Sequence, residues 1–384
     1  MNYRPRQIEP VLSDYLNAFP VVGITGPRQS GKSTLLQQVL RDAYTYVTFD
    51  DIRQLALFED DPEKFMQMYR HRVIFDEVQK APELFNHIKL AVDRDRNTYG
   101  KFVLTGSSQF LLMQNVADSL AGRIGLLSLL PFDHRELPKA LCETAIWRGC
   151  YPELVTRHYR NADDWYASYI ETYLARDVRD VAQIGNLRDF RNLIQLLAAN
   201  TAQILNMSRL ASDLGVTMPT IKRWISILEM SYVIFLLPPY FRNFGKRVIK
   251  RPKIYFYDTG LVSALTGIRT EEMYDRGPIA GALFENYILS QVLKHHKHTN
   301  RRCEFYFYRT SHGVEIDLVI DTGQTRHFVE IKKTATFRPR LIKTFNTLAS
   351  QADTATLVYQ GESLPDYGNI RICNWSNYLT HKKE

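Results

Sequence analysis

The sequence predicts a multidomain α/β protein that begins with a parallel, doubly wound sheet. At 384 residues the chain is too long for one ordinary core, so two or three domains are expected. Apolar runs of strand length alternate with helical segments between about residues 18 and 132, which is typical of a parallel sheet. The pattern then changes twice, first to amphipathic helices and later to three consecutive strands.

The first predicted strand leads into a glycine-rich loop and then a helix. Phe19 to Thr25 is apolar and of strand length, and Ser33 to Leu40 places apolar residues at helical spacing. Between them the chain has the spacing G-x-x-x-x-G-K-S, in which backbone N–H groups at a helix N-terminus hold phosphate oxygens. Lys32 is expected to reach the β- and γ-phosphates, and Ser33 to bind Mg²⁺. The expected phosphate-binding residues are Gly26, Pro27, Arg28, Gln29, Ser30, Gly31, Lys32, Ser33 and Thr34.

Two further apolar runs continue the predicted sheet. Tyr44 to Phe49 is the first, and Arg72 to Glu77 is the second, which ends in two carboxylates. Ligands bind at the carboxyl ends of parallel strands, so Asp76 is expected to hold the Mg²⁺ shell and Glu77 to polarise an attacking water. Either motif alone could be an ordinary turn or strand end. In this order, the two motifs together predict a nucleoside triphosphatase site.

Polar residues follow the next predicted strand, Gly100 to Gly106. Ser107 or Ser108 at this strand end could hydrogen-bond the γ-phosphate or the attacking water, although a simple Gly-Ser turn is the alternative. Arg123 lies between a helical stretch and another apolar strand. Its guanidinium could stabilise phosphoryl-transfer charge in a neighbouring subunit's site, or it could be a solvated surface arginine.

These segments resemble AAA+ type ATPases of a large prokaryotic family, whose members also carry a carboxyl-terminal region of uncharacterised function. The resemblance rests on Gly26 to Ser33, Asp76-Glu77, Leu104 to Ser108, Ala121 to Arg123 with the following Leu-Leu-Pro-Phe132, Glu171 to Val178 and Tyr255 to Gly260. It implies ATP as the nucleotide and a homo-oligomer as the active form. The predicted AAA+ P-loop ATPase core spans residues 1–158, and a helical lid spans 159–200. Arg176 and Arg179 of the lid could approach the nucleotide or lie on the surface.

Residues 201–270 are predicted to form a winged helix. Leu210 and Leu214 line one face of a first helix that Gly215 ends, and Thr217 can cap a second helix. A hairpin would follow and carry a basic wing. The residues expected to meet DNA phosphates are Lys222 and Arg223 on the second helix and Arg242, Lys246, Arg247, Lys250 and Arg251 on the wing. The alternative is an architectural winged helix that binds protein.

Residues 271–384 are predicted to form a small α/β domain with a second group of charged residues. Glu285 is the carboxylate of an amphipathic helix, Asp317 lies within an apolar strand, and Glu330 and Lys332 share one face of the next strand. Carboxylates that converge with a lysine suit Mg²⁺-dependent phosphodiester cleavage. Glu285, Asp317 and Glu330 are the expected metal ligands, and Lys332 is expected to orient or activate water.

This order of helix and strands resembles the PD-(D/E)XK nuclease superfamily, which has a restriction-endonuclease-like fold. Glu285 matches the helix carboxylate of that superfamily, Asp317 matches its first strand acid, and Glu330-Ile-Lys332 matches its E-x-K motif. The chain departs from the pattern at Ile316, where a proline is usual. A fold of this kind can cleave DNA, or it can persist as a binding platform without cleavage. Alternatively, Val329 to Lys332 could be a solvated strand face.

The composition is that of a globular protein, and its basic charge suggests an anionic partner. The formal net charge is +8 and the pI is near 9.1, so nucleic acid is the leading candidate. The four cysteines are scattered, which disfavours a zinc site or a disulfide framework. The amino terminus lacks the apolar stretch of a secretory signal, and the longest apolar run is too short to span a bilayer. A cytoplasmic location and no membrane partner are expected.

Two hypotheses about function follow from the sequence. The first is an oligomeric AAA+ ATPase that hydrolyses ATP with Mg²⁺ and binds or processes DNA through its winged-helix and nuclease-like domains. The second is a nucleotide-dependent signalling switch or defence effector, whose nuclease-like domain is non-catalytic and binds a protein partner.

Overall fold

The computed structural model describes residues 3–106, 119–174, 187–240, 251–310, 313–345 and 354–380. Several residues singled out above lie outside these ranges. They are Ser107, Ser108, Arg176, Arg179, Arg242, Lys246, Arg247 and Lys250.

The amino-terminal region is built on a five-stranded parallel sheet with the order β2-β3-β4-β1-β5. Its strands are β1 (Val21–Thr25), β2 (Thr45–Thr48), β3 (Val73–Asp76), β4 (Phe102–Thr105) and β5 (Ile124–Ser128). Both Val21 and Val73 are in register with Phe102, so β1, β3 and β4 end at the same level. The predicted parallel α/β sheet is confirmed, and β4 separates the glycine-loop strand from the strand with the two carboxylates.

Helices cover both faces of this sheet. They are α1 (Glu9–Leu16), α2 (Lys32–Val39), α3 (Ile52–Asp60), α4 (Pro62–Met68) and α5 (Leu84–Arg94). One core contains stacked phenylalanines such as Phe49 and Phe75, and the other joins Ile24 and Leu36 to α1. Because the sheet is covered on both faces, its strands are almost continuously apolar.

The middle region is helical and ends in a two-stranded antiparallel hairpin. Its helices are α6 (Cys142–Arg148), α7 (Pro152–Thr156), α8 (Ala162–Tyr169), α9 (Leu187–Ala199), α10 (Met207–Leu214) and α11 (Met218–Met230). Gly215 ends α10 in the left-handed region, and the Thr217 hydroxyl caps α11 by accepting the Thr220 N–H. The hairpin consists of β6 (Ile234–Leu237) and β7 (Lys253–Phe256), followed by α12 (Thr259–Thr266) and α13 (Glu271–Arg276).

The carboxyl-terminal region is a six-stranded mixed sheet with the order β12-β13-β11-β10-β9-β8. Its elements are α14 (Ala280–His298), β8 (Glu304–Arg309), β9 (Glu315–Asp321), β10 (Arg326–Lys332), β11 (Thr354–Tyr359), β12 (Leu364–Tyr367), β13 (Ile370–Asn374) and α15 (Trp375–Thr380). β9 and β10 are antiparallel, with Leu318 opposite Val329, and α14 packs against β10. One apolar core runs from Leu130 to Leu379, so the middle and carboxyl-terminal regions are packed together.

No helix in the described ranges is both long enough and apolar enough to cross a membrane.

Candidate functional site

The glycine-rich loop links the end of β1 to the start of α2. Gly26 has φ +138°, and a Cβ there would lie 2.1 Å from the Leu129 carbonyl oxygen, so a side chain at this position is excluded. Gly31 has φ +92° and caps α2 in the left-handed region. The loop therefore needs its two glycines for steric reasons, and it presents the N-terminus of α2 at the carboxyl edge of the sheet.

Lys32 is buried at the first position of α2. Its ammonium donates hydrogen bonds to the carbonyl oxygens of Gly26 and Pro27, both at 3.0 Å. These acceptors are neutral, and a phosphate oxygen is a stronger acceptor for an ammonium group. The lysine is thus positioned inside the loop that would surround a triphosphate.

Ser33 and Asp76 meet although 43 residues separate them in the sequence. The Ser33 hydroxyl donates to Asp76 Oδ2 at 2.7 Å, and the Tyr46 hydroxyl donates to the same oxygen. The other Asp76 oxygen accepts the Glu77 N–H at 3.0 Å. Burial and the hydrogen bond to Asp76 raise the pKa of Tyr46, so this phenol remains a donor. A hydroxyl next to a carboxylate is the hard-oxygen donor set that Mg²⁺ prefers.

Glu77 follows directly after β3 and adopts the left-handed conformation, with φ +56°. Its carboxylate accepts a hydrogen bond from the Gln79 side-chain amide. At the neighbouring strand end, the Thr105 hydroxyl is fully buried and has no hydrogen-bond partner among the described residues. Thr105 ends β4, between β1 and β3. A buried polar group without a partner is costly, and this one lies beside the carboxyl edge where the loop and carboxylates meet.

Arg6 supports the glycine loop from the amino-terminal segment. Its guanidinium donates to the Ser30 carbonyl at 2.9 Å, to the Leu130 carbonyl at 2.7 Å and to Glu136 Oε1 at 3.0 Å. The ion pair with Glu136 is almost completely buried. Sequence reasoning missed Arg6, because no local motif connects it to a loop more than 20 residues away.

Tyr232 connects the end of β1 to the hairpin region. Its hydroxyl lies 3.0 Å from Thr25 Oγ1 and 2.7 Å from Ser128 Oγ. Thr25 is the last residue before the glycine loop. Tyr232 itself follows α11 and precedes β6, with φ +54°. The segment that joins the helix pair to the hairpin therefore contacts the strand that leads into the glycine loop.

Arg123 lies at the amino-terminal ends of the parallel strands, whereas the glycine loop follows the carboxyl end of β1. It precedes β5, whose first residue is in register with Val21 at the start of β1. Its guanidinium pairs with both oxygens of Asp93, at 2.9 and 3.0 Å, and this bond lowers the pKa of Asp93. Arg123 does not join the glycine-loop site of its own chain, so its expected role in the site of a neighbouring subunit stays a prediction.

Near the carboxyl terminus, β9 and β10 bring Asp317, Glu330 and Lys332 together. The Lys332 ammonium lies 2.7 Å from Glu330 Oε1 and 3.2 Å from Asp317 Oδ2. The Ile331 N–H also donates to Asp317 Oδ2, at 2.8 Å. The second oxygen of Glu330 is buried and has no partner among the described residues. Three of the four predicted residues are thus in one place.

Glu285 faces this group from α14, but it is held by residues that sequence reasoning missed. Its Oε1 accepts from the Tyr255 hydroxyl at 2.6 Å and from the Lys253 ammonium at 3.2 Å. Lys253 is also 2.5 Å from Glu315 Oε1 and 3.9 Å from Asp317 Oδ1. We call these six charged groups the carboxylate–lysine centre: Lys253, Glu285, Glu315, Asp317, Glu330 and Lys332.

Burial and like charge shift the titration of this centre. Burial, followed by repulsion from Asp317, raises the pKa of Glu285 to about 7 and that of Glu330 to about 8. Burial acts to lower the pKa of Lys253, but the surrounding carboxylates outweigh it and raise that pKa. Asp317 and Glu330 likewise outweigh burial and raise the pKa of Lys332. Both lysines are therefore charged at neutral pH, and four carboxyl groups share their two positive charges.

Domain families match successive parts of the chain. An AAA domain matches residues 18–138, a domain of unknown function (DUF8612) matches 139–272, and a domain of unknown function (DUF4143) matches 280–378. The uncharacterised protein Rv2008c of Mycobacterium tuberculosis is 31% identical over 355 residues, which cover 90% of this chain and 78% of that protein. The chain belongs to this AAA and DUF4143 family.

Other relatives and solved structures are less similar to this chain. The uncharacterised protein MJ1544 of Methanocaldococcus jannaschii is 22% identical over 80% of this chain and 73% of that protein. The Walker-type ATPase PABY2304 of Pyrococcus abyssi covers 69% of this chain and 99% of its own, at 17% identity and a TM-score of 0.47. The RuvB Holliday junction branch migration motor of Thermotoga maritima gives a TM-score of 0.30 at 15% identity, over 60% and 89% of the two chains.

Membership in the AAA and DUF4143 family confirms the predicted AAA-type P-loop protein with a carboxyl-terminal domain of uncharacterised function. The nuclease-like character of that DUF4143 domain stays a prediction. Ser33 and Asp76 in the AAA domain offer oxygen ligands that suit Mg²⁺. The DUF4143 centre does not fit a divalent metal equally well, because Lys253 already places a cation among three of its carboxylates.

A third buried cluster of ionisable side chains, Asp133, Glu136 and His298, joins the AAA domain to the DUF4143 domain. Nδ1 of His298 lies 3.8 Å from both Asp133 Oδ2 and Glu136 Oε1. Its Nε2 accepts the Leu130 N–H at 3.0 Å, so the ring proton is on Nδ1 and faces the carboxylates. A metal would need the Nδ1 lone pair. This group therefore links α14 to the segment held by Arg6, and it does not have the donor set of a metal site.

Proposed function

We propose that this protein is an oligomeric AAA+ ATPase that hydrolyses ATP with Mg²⁺ and uses the cycle to act on DNA. The observation that carries the proposal is the meeting of Ser33 with Asp76 beside Lys32 and Glu77. Phosphate binding, metal binding and water activation need these residue types at one edge of a parallel sheet. The AAA domain match over residues 18–138 supports the same conclusion.

In the proposed reaction, the loop N–H groups and the N-terminus of α2 hold the phosphates. Lys32 exchanges its bonds to the Gly26 and Pro27 carbonyls for bonds to phosphate oxygens. Ser33 and Asp76 would hold Mg²⁺, which neutralises charge on the phosphates when it is bound. Glu77 orients the attacking water and accepts its proton. Ser107 or Ser108, together with Thr105, would line the same edge.

The proposal includes a homo-oligomer because Arg123 lies far from the loop of its own subunit. In an assembly, this arginine would exchange Asp93 for the phosphates of a neighbouring subunit. We also propose the division into an ATPase core at 1–158, a helical lid at 159–200, a winged helix at 201–270 and a nuclease-like domain at 271–384.

The DNA-binding part of the proposal rests on the helix pair and the hairpin. Lys222 and Arg223 are exposed on α11, whose apolar face, with Trp224 and Leu228, is buried. Arg251 is exposed just before β7. A capped second helix with a basic outer face, followed by a hairpin, is the arrangement of a winged helix that enters the major groove. The net charge of +8 agrees with an anionic partner.

A direct test of the proposed activity is ATP turnover by the purified full chain, with and without duplex DNA. Lys32→Ala is expected to reduce turnover at least about 100-fold, because it removes a cation that stabilises the transferred phosphoryl group. Lys64→Ala, an exposed lysine of α4, is the matched control and should retain turnover. Equal turnover of Lys32→Ala and the unmodified chain would refute the assignment.

DNA contact is tested by duplex binding over a salt series. Because the fall of affinity with rising salt becomes steeper with each neutralised phosphate, six phosphate contacts predict a loss of affinity of about 1,000-fold between 50 and 200 mM salt. Lys222→Ala and Arg223→Ala should each lower the slope of log affinity against log salt by about 1, and Lys64→Ala should not. Undetectable binding at low salt would contradict DNA binding.

That negative result would favour the second candidate, a nucleotide-dependent signalling switch or defence effector that binds a protein partner. One observation supports this candidate specifically. Lys253 pairs with carboxylates that a nuclease would use for its metal, as expected of a nuclease-like domain that serves as a binding platform. Nucleotide-dependent capture of a defined protein partner, with unchanged ATP turnover on addition of DNA, would establish it.

A further inference from the structure

The Lys253 ammonium occupies the part of the carboxylate–lysine centre where acidic groups are densest. Its side chain is only 4% exposed. It contacts Glu315 Oε1 at 2.5 Å and Glu285 Oε1 at 3.2 Å, and it lies 3.9 Å from Asp317 Oδ1. The carboxylates come from α14 and β9, whereas the lysine comes from β7 in the middle region. One cation from outside the sheet therefore faces three acids.

The backbone that carries Lys253 is fixed on both sides. On one side, β7 pairs with β6, with Lys253 opposite Leu237. On the other side, the Leu205 N–H donates to the Pro252 carbonyl at 2.8 Å, and the Ile254 N–H donates to the Gln203 carbonyl at 3.0 Å. This backbone pairing sets the side of the strand from which the Lys253 side chain leaves, so the ammonium is directed towards the centre.

Lys332 contacts the centre from the opposite side. It contacts Glu330 Oε1 and the second oxygen of Asp317. The two lysines together therefore contact all four carboxylates of the centre. A divalent cation would have to bind oxygens at about 2.0–2.6 Å while an ammonium stays within about 4 Å of the same oxygens, where the two positive charges repel each other strongly in a buried site.

We infer that Lys253 is a built-in cation that takes the place of a divalent metal in the carboxylate–lysine centre and closes the centre to metal-dependent DNA cleavage. The same contact fastens the hairpin of the middle region to the carboxyl-terminal sheet. The inference rests on the proposed nuclease-like character of this domain, but it does not depend on ATP hydrolysis. Removing the Lys253 charge should turn the centre into a divalent metal site.

The experiment measures Mn²⁺ binding to the nucleotide-free full chain by electron paramagnetic resonance of free Mn²⁺. All proteins carry Lys32→Ala and Asp76→Asn, so that the ATPase site does not contribute. Lys253→Met is expected to gain one Mn²⁺ site. Its affinity at this site should be at least tenfold higher than any Mn²⁺ affinity of the parent protein. Lys253→Arg keeps the charge and should resemble the parent. Adding Asp317→Asn to Lys253→Met should remove the new site.

Either of two results would overturn the inference. The first is Mn²⁺ binding by the parent protein that Asp317→Asn abolishes, because the centre would then be open despite Lys253. The second is a folded Lys253→Met protein that binds Mn²⁺ no more tightly than the parent. The proposed function is tested separately, by ATP turnover and DNA binding of the protein with Lys32 and Asp76 intact. A failure of the proposed function can therefore be distinguished from a failure of the inference about Lys253.

Loss of the buried charge could also prevent folding, and a second variant covers this case. Lys253→Gln retains a donor for one carboxylate and is a smaller change. Should both variants be unfolded without metal, refolding in Mn²⁺ decides the question. Recovery of the native fold with Mn²⁺ supports the inference, and equal failure with and without Mn²⁺ contradicts it.

Discussion

The two candidate centres use the same residue types in opposite ways. In the amino-terminal sheet, Lys32 donates to carbonyl oxygens of its own loop, and Asp76 is held by the hydroxyls of Ser33 and Tyr46. In the carboxyl-terminal sheet, Lys253 and Lys332 pair directly with carboxylates. The first centre therefore keeps hydroxyl and carboxylate oxygens beside a cation in a form that a phosphate and a metal can use. The second centre has already neutralised much of its own charge.

A motif match alone therefore does not show whether a site can bind a metal. Glu330-Ile-Lys332 has the spacing of a metal-dependent nuclease, but the residue that decides metal access, Lys253, lies outside the motif. A lysine that faces neutral acceptors can exchange them for a ligand. A buried lysine that faces carboxylates can leave them only at a large electrostatic cost.

The largest expected effect concerns the stability of the carboxylate–lysine centre. Without added metal, Lys253→Met should lower the free energy of unfolding by about 3–5 kcal/mol, because it leaves buried carboxylates without their cation. Lys80→Met is the matched control, since Lys80 pairs with Asp50 on the surface, where both side chains are more than 40% exposed. That variant should change stability by less than about 1 kcal/mol. Urea unfolding of both proteins checks the difference. Equal losses of unfolding free energy would show that Lys253 does not neutralise the carboxylates of the centre.

The next effect tests whether the amino-terminal centre is ready for chemistry. Glu77→Gln should lower ATP turnover by about 100-fold or more, because a positioned general base contributes that much, while ATP binding changes only a few-fold. Glu83→Gln, an exposed glutamate close to the same strand, should leave both unchanged. Single-turnover hydrolysis and equilibrium ATP binding separate the two quantities. A parallel loss of binding and turnover would place Glu77 in nucleotide binding instead.

The amino-terminal centre could be predicted well from the sequence because its parts follow local rules. A strand, a glycine loop and a helix are consecutive, and parallel strands end at one edge, so Ser33 and Asp76 were expected to be close. Asp317, Glu330 and Lys332 were predicted for the same reason, since they lie on neighbouring strands that are consecutive in the sequence.

The remaining contacts could not be predicted because they depend on tertiary packing between distant segments. Arg6 reaches Glu136 across 130 residues, and Lys253 reaches Glu285 from a different region, 32 residues away. Both of these basic residues look like ordinary surface charge in the sequence. Strand direction alone predicts that Arg123, which precedes β5, lies at the other end of the strands from the glycine loop. Its pairing with Asp93 depends on how α5 packs against the sheet, so it could not be predicted.

The smallest expected effect tests communication between the two halves of the molecule. Tyr232→Phe removes one hydroxyl that bonds Thr25 and Ser128 and keeps the aromatic ring. Tyr255→Phe is the matched change in the other centre, where the hydroxyl bonds Glu285. Each variant should lose about 1–2 kcal/mol of stability, since Tyr232→Phe loses the two contacts of its hydroxyl and Tyr255→Phe loses one hydrogen bond to a carboxylate.

Only Tyr232→Phe should alter the response of ATP turnover to DNA, because Thr25 is the last residue before the glycine loop. We expect stimulation by duplex DNA to fall several-fold while turnover without DNA changes less than twofold. Tyr255→Phe should retain the full stimulation, because its hydroxyl contacts the carboxylate–lysine centre and not the nucleotide loop. If both variants lose stimulation equally, coupling passes through general packing of the hairpin, and the hydroxyl at position 232 has no specific part in it.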